Sequence, residues 1–202
     1  MKSNFFTKFM AVAVIALLSL STISFAGDLK SGGDANGRFS VGLELALPSG
    51  TFGDQAGTGF GASVRYEMPM GSNLALMGTI GYLTFGGKTV DFGPGGSFKY
   101  TESMIPIQVG AKYYFMEQQS GFYAALQLGI TSFSVKSDIT YPTGSGLPNI
   151  SVSASTTDLS YAPGIGYHLA NIDLQASYQI VSTTGGSSSY IGIRAAYVFG
   201  SK

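Results

Sequence analysis

Alternation of apolar with small or polar residues recurs in eight segments of the chain, and it constrains the fold more than any other feature. In the first segment Phe39, Val41 and Leu43 share one side of an extended chain, and Ser40 lies on the other. Successive side chains of a β-strand point to opposite faces, so a period of two indicates strands whose faces meet different surroundings. The sequence therefore predicts an all-β fold of eight strands, which begin near residues 38, 59, 74, 98, 122, 159, 172 and 190.

The connections between these segments alternate in length. Short ones are expected over residues 69–73, 117–120 and 170–171, and long ones over 48–56, 86–97, 136–151 and 183–189. Long loops at one end and short turns at the other are typical of membrane barrels. We therefore predict an eight-stranded antiparallel up-and-down transmembrane β-barrel over residues 38–199. By analogy with such barrels, the long loops are expected outside the cell and the turns in the periplasm.

The N-terminus has the order of a secretory signal peptide. Lys2 and Lys8 are followed by an apolar stretch over residues 9–20, and then by Ser24 and Ala26 at the positions of a cleavage site. The apolar stretch is shorter than the roughly 20 residues of a membrane-spanning helix. We predict a signal peptide over residues 1–26, a short flexible segment over residues 27–37, and export of the mature chain.

The alternation alone also fits a soluble, lipocalin-like barrel with its apolar face inside. Three observations favour an apolar face toward lipid. The charged fraction is 11%, against about 25% in ordinary soluble proteins, and the less apolar faces carry the small side chains that a narrow barrel interior can hold. Aromatic residues also gather near strand ends on the apolar faces, as at a membrane interface. These predicted interface aromatics are Tyr66, Tyr82, Tyr113, Phe115, Phe122, Tyr161, Tyr167, Tyr178, Tyr197 and Phe199.

The last segment, residues 190–199, alternates apolar residues and ends with Tyr197 and Phe199. In this and in its predicted architecture the chain resembles the OmpA-like outer-membrane barrels, a family that includes the small OmpX-like proteins of the bacterial cell surface. The resemblance covers about residues 38–199. It implies a place in the bacterial outer membrane, with outer-membrane lipid and the outer-membrane assembly machinery as partners.

The faces predicted to point inward carry a small set of charged residues. Paired carboxylates can serve general acid–base catalysis, but charges inside a narrow barrel must be paired or hydrated, and we favour an ion-pair network. Glu44 is expected to reach Arg194 on the last strand and Arg65 on the second. The predicted lumenal ion-pair network is Glu44, Arg65, Glu67, Glu102, Lys112, Asp173 and Arg194.

Few residues suit catalysis or metal binding. The chain has no cysteine, and its only histidine, His168, falls at the periplasmic end of its predicted strand, far from the outer leaflet where a lipid-modifying enzyme would act. We therefore expect no enzyme activity, no metal site and no cofactor. The 11 basic residues match the 11 acidic ones, which gives no electrostatic reason to expect nucleic-acid binding.

The predicted function is that of a non-enzymatic outer-membrane barrel with a structural or surface-interaction role. Its lumen is expected to be plugged by ion pairs, and its long loops to be free to bind an extracellular ligand. The alternative is a narrow pore or channel for ions, small solutes or apolar molecules. An eight-stranded barrel has little space beyond its own side chains, which favours the first function.

Overall fold

The computed structural model describes residues 37–86, 89–91, 97–141, 150–183 and 186–199, so the predicted signal peptide and most of the segment 27–37 lie outside the described residues. Within these ranges are a short helix α1 (Gly50–Gln55), a 3-10 helix (Glu117–Gln119) and nine strands. The strands are β1 Arg38–Ser49, β2 Gly59–Pro69, β3 Leu74–Phe85, β4 Thr89–Asp91, β5 Ser97–Tyr114, β6 Gly121–Thr140, β7 Ile150–Leu169, β8 Ile172–Thr183 and β9 Gly186–Phe199. No helix within the described part of the chain has the length and apolar character needed to span a membrane.

Eight of these strands form one closed antiparallel barrel. Each pairs with the next, β3 pairs with β5, and β9 pairs with β1 to close the ring. The remaining strand, the three-residue β4, lies outside the ring and pairs with residues 97–99 of β5. The prediction of an eight-stranded all-β barrel is therefore confirmed, with β4 as an addition inside a predicted loop.

The pairing keeps one register along each ladder of the barrel. Phe39 has a paired residue on β2, that residue has one on β3, and so on around the ring. This path returns to β1 at Ser49, ten residues after Phe39. With strands about 4.8 Å apart and 3.3 Å of rise per residue, this shift corresponds to a strand tilt of roughly 40°. The barrel is therefore narrow, and its inward side chains meet across the lumen.

A proline inside a strand cannot donate to one of its ladders, which predicts a β-bulge, but neither of the two prolines inside strands has one. Pro106 pairs with Thr131 on β6 but drops out of the ladder with β3, and Pro163 pairs with Leu126 on β6 but drops out of the ladder with β8. The register is the same on both sides of each gap. A proline lacks one N–H, so it costs hydrogen bonds toward one neighbour and requires no extra residue.

The predicted loops over residues 136–151 and 183–189 are too long. β6 continues to Thr140, β7 begins at Ile150, and β9 begins at Gly186. At the start of β7, Ile150, Val152 and Ala154 alternate with serines, a short period-two pattern that the loop prediction leaves out, and both faces of this segment are exposed. We call this extension, made of β4, residues 97–101, residues 131–140 and residues 150–158, the projecting sheet.

Candidate functional site: the barrel lumen

The outer face of the barrel is apolar. Large side chains such as Leu43 and Leu159 are 74% and 71% exposed. All the predicted interface aromatics except Tyr66 are exposed, and Tyr66 is half-buried with its ring centroid 4.7 Å from that of Phe39. At the end of the barrel with the short turns, the turn end, further aromatic pairs form: Tyr113 with Phe115, Phe122 with Tyr167, and Tyr197 with Phe199.

Inside, a buried lysine joins two carboxylates from different strands. Lys112 on β5 is fully buried, and its Nζ lies 2.5 Å from Glu67 Oε1 of β2 and in direct contact with Asp173 Oδ2 of β8. Tyr123 donates a hydrogen bond of 2.8 Å to Asp173 Oδ1, and its ring lies 4.3 Å from Lys112 Nζ. Arg65 Nη1 is 4.0 Å from Glu67 and donates to Gln175 Oε1 at 2.7 Å.

A second group of contacts crosses the seam where the first and last strands meet. Arg194 Nε of β9 lies 3.5 Å from Glu44 Oε1 of β1 and donates to Ser63 Oγ of β2 at 2.8 Å. Its Nη2 donates to Ser40 Oγ at 3.0 Å, and its Nη1 is 4.0 Å from Asp173 Oδ1. Ser63 in turn donates to Glu44, so one guanidinium joins β9 to β1, β2 and β8.

The structure therefore brings together six of the seven residues of the predicted network. Glu102 is buried too, but it lies ten residues before Lys112 on β5, about 33 Å away along the strand. Arg38 was missed. It lies at the turn end, 3.6 Å from Glu67 Oε2, and donates to Gln119 Oε1 at 2.7 Å. Its inward phase in β1 was the signal that could have identified it. We call Arg38, Glu44, Arg65, Glu67, Lys112, Asp173 and Arg194 the lumenal ion cluster.

Next to the ion cluster is a small polar chamber. Its volume is about 30 Å³, and Arg65, Arg194, Glu44 and several glutamine and serine side chains line it. Gln108 crosses this level by donating to Ser160 Oγ at 3.2 Å and to Gln179 Oε1 at 3.1 Å. A cavity of this size has room for roughly two water molecules.

At the opposite end, which carries the long loops and is called the loop end, buried apolar side chains form a cap. Phe52 of α1 is buried against Phe85 and Phe133, with ring centroids 5.2 and 6.2 Å away, and Phe85 packs on Tyr190 at 5.9 Å. No sequence pattern predicted this cap as a whole. Phe85 and Tyr190 have the inward phase of their strands, but Phe52 lies in a loop, where period-two analysis gives no signal. The cap comprises Ala46, Phe52, Ala56, Leu83, Phe85, Met104, Phe133 and Tyr190.

His168 belongs to the turn end. Its Nδ1 lies 3.1 Å from the carbonyl of Gln119 and its Nε2 lies 2.9 Å from the carbonyl of Ala170. Gln119 also donates to the carbonyls of Gly71 and Leu74 at 2.8 and 3.0 Å. The histidine thus lies between the turns that contain Gln119 and Ala170. Within the described ranges, no group of three or more His, Asp or Glu side chains is arranged to hold a metal ion.

A closed barrel with an apolar outer face and a charged, narrow interior is the class of protein that spans bacterial outer membranes. The family model for the outer membrane protein beta-barrel domain matches residues 10–199. The chain belongs to this family, and the family predicted from the sequence is confirmed.

Solved structures share the fold. The attachment invasion locus protein Ail of Yersinia pestis is 15% identical, with 83% of this chain and all of Ail covered at a TM-score of 0.55. Ail in complex with the heparin analogue sucrose octasulfate gives 16% identity, 81% and 97% coverage and the same TM-score. At these identities the likeness shows the fold alone. No curated protein sequence matches the chain.

Proposed function

We propose that this protein is a non-enzymatic outer-membrane barrel that presents the projecting sheet and its loops to the cell exterior, where it has a surface-interaction role. One observation carries the proposal. β6 and β7 remain paired for about nine residues beyond the last pair of β7 with β8. A strand pair that extends beyond the wall adds nothing to spanning a membrane.

A closed lumen is part of this proposal. A solute would have to pass the turn-end tyrosines Tyr114 and Tyr123, then the ion cluster around Lys112, then the cap around Phe52. Separating buried, paired charges is costly, and the chamber between these layers holds only about two waters. The predicted network thus serves here as a structural plug.

The orientation and the partners also belong to the proposal. We place the loop end outside and the turn end in the periplasm, as expected for an exported chain whose signal peptide ends at Ala26. The apolar face contacts outer-membrane lipid, and the strand that ends at Phe199 engages the assembly machinery. Ail, which shares the fold, has been solved with a heparin analogue, and this supports an extracellular ligand for this chain as well.

The second candidate function is a narrow pore for ions or small solutes. The polar chamber favours it, because Arg65, Arg194 and Glu44 line a space that can hold water. In that case the ion cluster would rearrange to let ions pass, and Arg194→Ala would raise the conductance.

Single-channel recording of the refolded mature protein in a planar bilayer tests the proposal. Heat-dependent mobility in a detergent gel first establishes that the barrel is folded. A silent bilayer with folded protein, silent also for Arg194→Ala, is the expected result. Discrete and reproducible conductance steps would overturn the closed lumen and make the pore the better function.

A further inference from the structure

The start of β7 forms a long sheet edge with no described neighbour on one side. Residues 150–157 pair with β6 through Ile139 to Ser132, whereas the ladder with β8 begins only at Leu159. Within the described part of the chain, nothing pairs with residues 150–158 on the β8 side. We call these nine residues the open edge.

The open edge lacks the features by which proteins usually protect such edges. Edge strands are commonly short, or carry lysine, proline or a bulge. This one reads Ile-Ser-Val-Ser-Ala-Ser-Thr-Thr-Asp, keeps one register with β6, and has a single charge at its last residue, Asp158. Apart from Asp158, which is half-buried, its side chains are exposed. It is therefore a backbone template ready for another strand.

Pro163 shows which backbone groups face the open side. It keeps its pairing with Leu126 on β6 but drops out of the ladder with β8, so residues of the same parity point their N–H and C=O groups away from β6. Along the open edge these are Ser151, Ser153, Ser155 and Thr157.

We propose that the open edge pairs with the open edge of a second copy of this chain that lies in a facing membrane. This inference rests on the proposed function. In an antiparallel pair centred on Ala154, Ser153 pairs with Ser155 of the second copy, and Ser151 with Thr157. Asp158 then lies opposite Ile150, so the two like charges stand at opposite ends of the pair. The edge is self-complementary, as a two-fold interface requires.

Symmetry determines where the second copy lies. Two antiparallel strands are related by a two-fold axis perpendicular to their sheet. The projecting sheet continues the barrel wall, so this axis lies near the membrane plane, and the second copy is upside down relative to the first. Copies in one membrane share one orientation and cannot form this pair. Copies in two facing membranes can, so the contact joins vesicles or cells.

Light scattering from liposomes that carry the refolded protein tests this pairing. Wild-type liposomes are expected to cluster, Ser155→Pro should abolish clustering because it removes an outward N–H, and Ser155→Thr should retain it. Both variants should stay folded, as heat-dependent gel mobility would show, because the ladder with β6 is untouched. Dispersed wild-type liposomes, or clustering that is insensitive to Ser155→Pro, would overturn the pairing.

A charge swap tests the register. Ala154→Lys liposomes and Ala154→Glu liposomes should each stay dispersed, because like charges stand opposite one another, while a mixture of the two should cluster. A mixture that stays dispersed would refute the pairing centred on Ala154. Dispersed wild-type liposomes together with a silent planar bilayer would refute the pairing and leave the proposed function standing. Conductance steps would refute the proposed closed lumen instead.

Discussion

Replacing Lys112 with methionine should destabilise the barrel strongly. The substitution keeps most of the side-chain volume but leaves Glu67 and Asp173, which both contact the lysine Nζ, without their shared cation. Removing one partner of a buried ion pair typically costs about 3–5 kcal/mol. Because domains are stable by only about 5–15 kcal/mol, this loss is a large part of the total.

The assay is urea unfolding of the protein in lipid vesicles. The chain has no tryptophan, so the folded fraction is read from gel mobility or from the β-sheet circular dichroism signal. Lys136→Met is the matched control. This lysine is 60% exposed and 3.5 Å from Asp138, and an exposed pair contributes about 0–1 kcal/mol. The double variant Lys112→Met, Asp173→Asn should recover part of the loss, because it restores the charge balance of the cluster and Glu67 keeps Arg38 and Arg65 as partners.

An unfolding midpoint of Lys112→Met equal to that of the wild type would refute this reasoning. It would mean that water inside the lumen solvates the two carboxylates well enough to replace the lysine, and the argument for a closed lumen would lose its main support.

Three further predictions follow from the packing. Gly166→Ala would place a Cβ 2.3 Å from the Tyr123 ring and should lower the free energy of unfolding by about 1–3 kcal/mol. The control Gly186→Ala, whose new Cβ would have no atom within 4 Å, should have little effect in the same urea titration. Phe52→Ala removes the buried side chain that holds α1 against the barrel, and this helix is too short to be stable alone. Limited proteolysis should therefore cut residues 50–58 about 100-fold faster in the variant. Unchanged resistance to the protease would show that the cap does not hold the loop. Leu43→Arg, on the outer face, should cost about 2–4 kcal/mol in lipid vesicles, and no loss would show that this face does not meet hydrocarbon.

The strands that could be predicted from sequence are those whose two faces meet different surroundings. Leu43 faces outward and Ser40 inward, so β1 leaves a period-two record, as do the other strands within the barrel. The start of β7 also alternates, with Ile150, Val152 and Ala154 between serines, but both of its faces are exposed, so this alternation does not reflect different surroundings. Its conformation comes from backbone pairing with β6, which hydropathy does not report.

The sequence predicts which charged residues face the lumen, but it does not predict which of them contact one another. The strand phase placed Glu67, Lys112 and Asp173 inside. Their meeting depends on the shift of ten residues around the barrel, which no local pattern encodes. Glu102 has the same inward phase, but it lies near the loop end, opposite Phe85 on β3. The position of a residue in the period-two pattern determines whether its side chain faces inward or outward. Its height along the barrel axis depends on the register of all the strand pairs around the ring.

Arg194 bears on how the barrel is completed during biogenesis. It belongs to the last strand, and its partners Glu44, Ser40 and Ser63 belong to the first two, so these contacts form only when the two ends of the chain meet. A barrel inserted without its final strand would expose Glu44 at an open rim with no arginine to neutralise it. Docking of the last strand therefore carries its own stabilisation, because Glu44 gains its arginine only at that step.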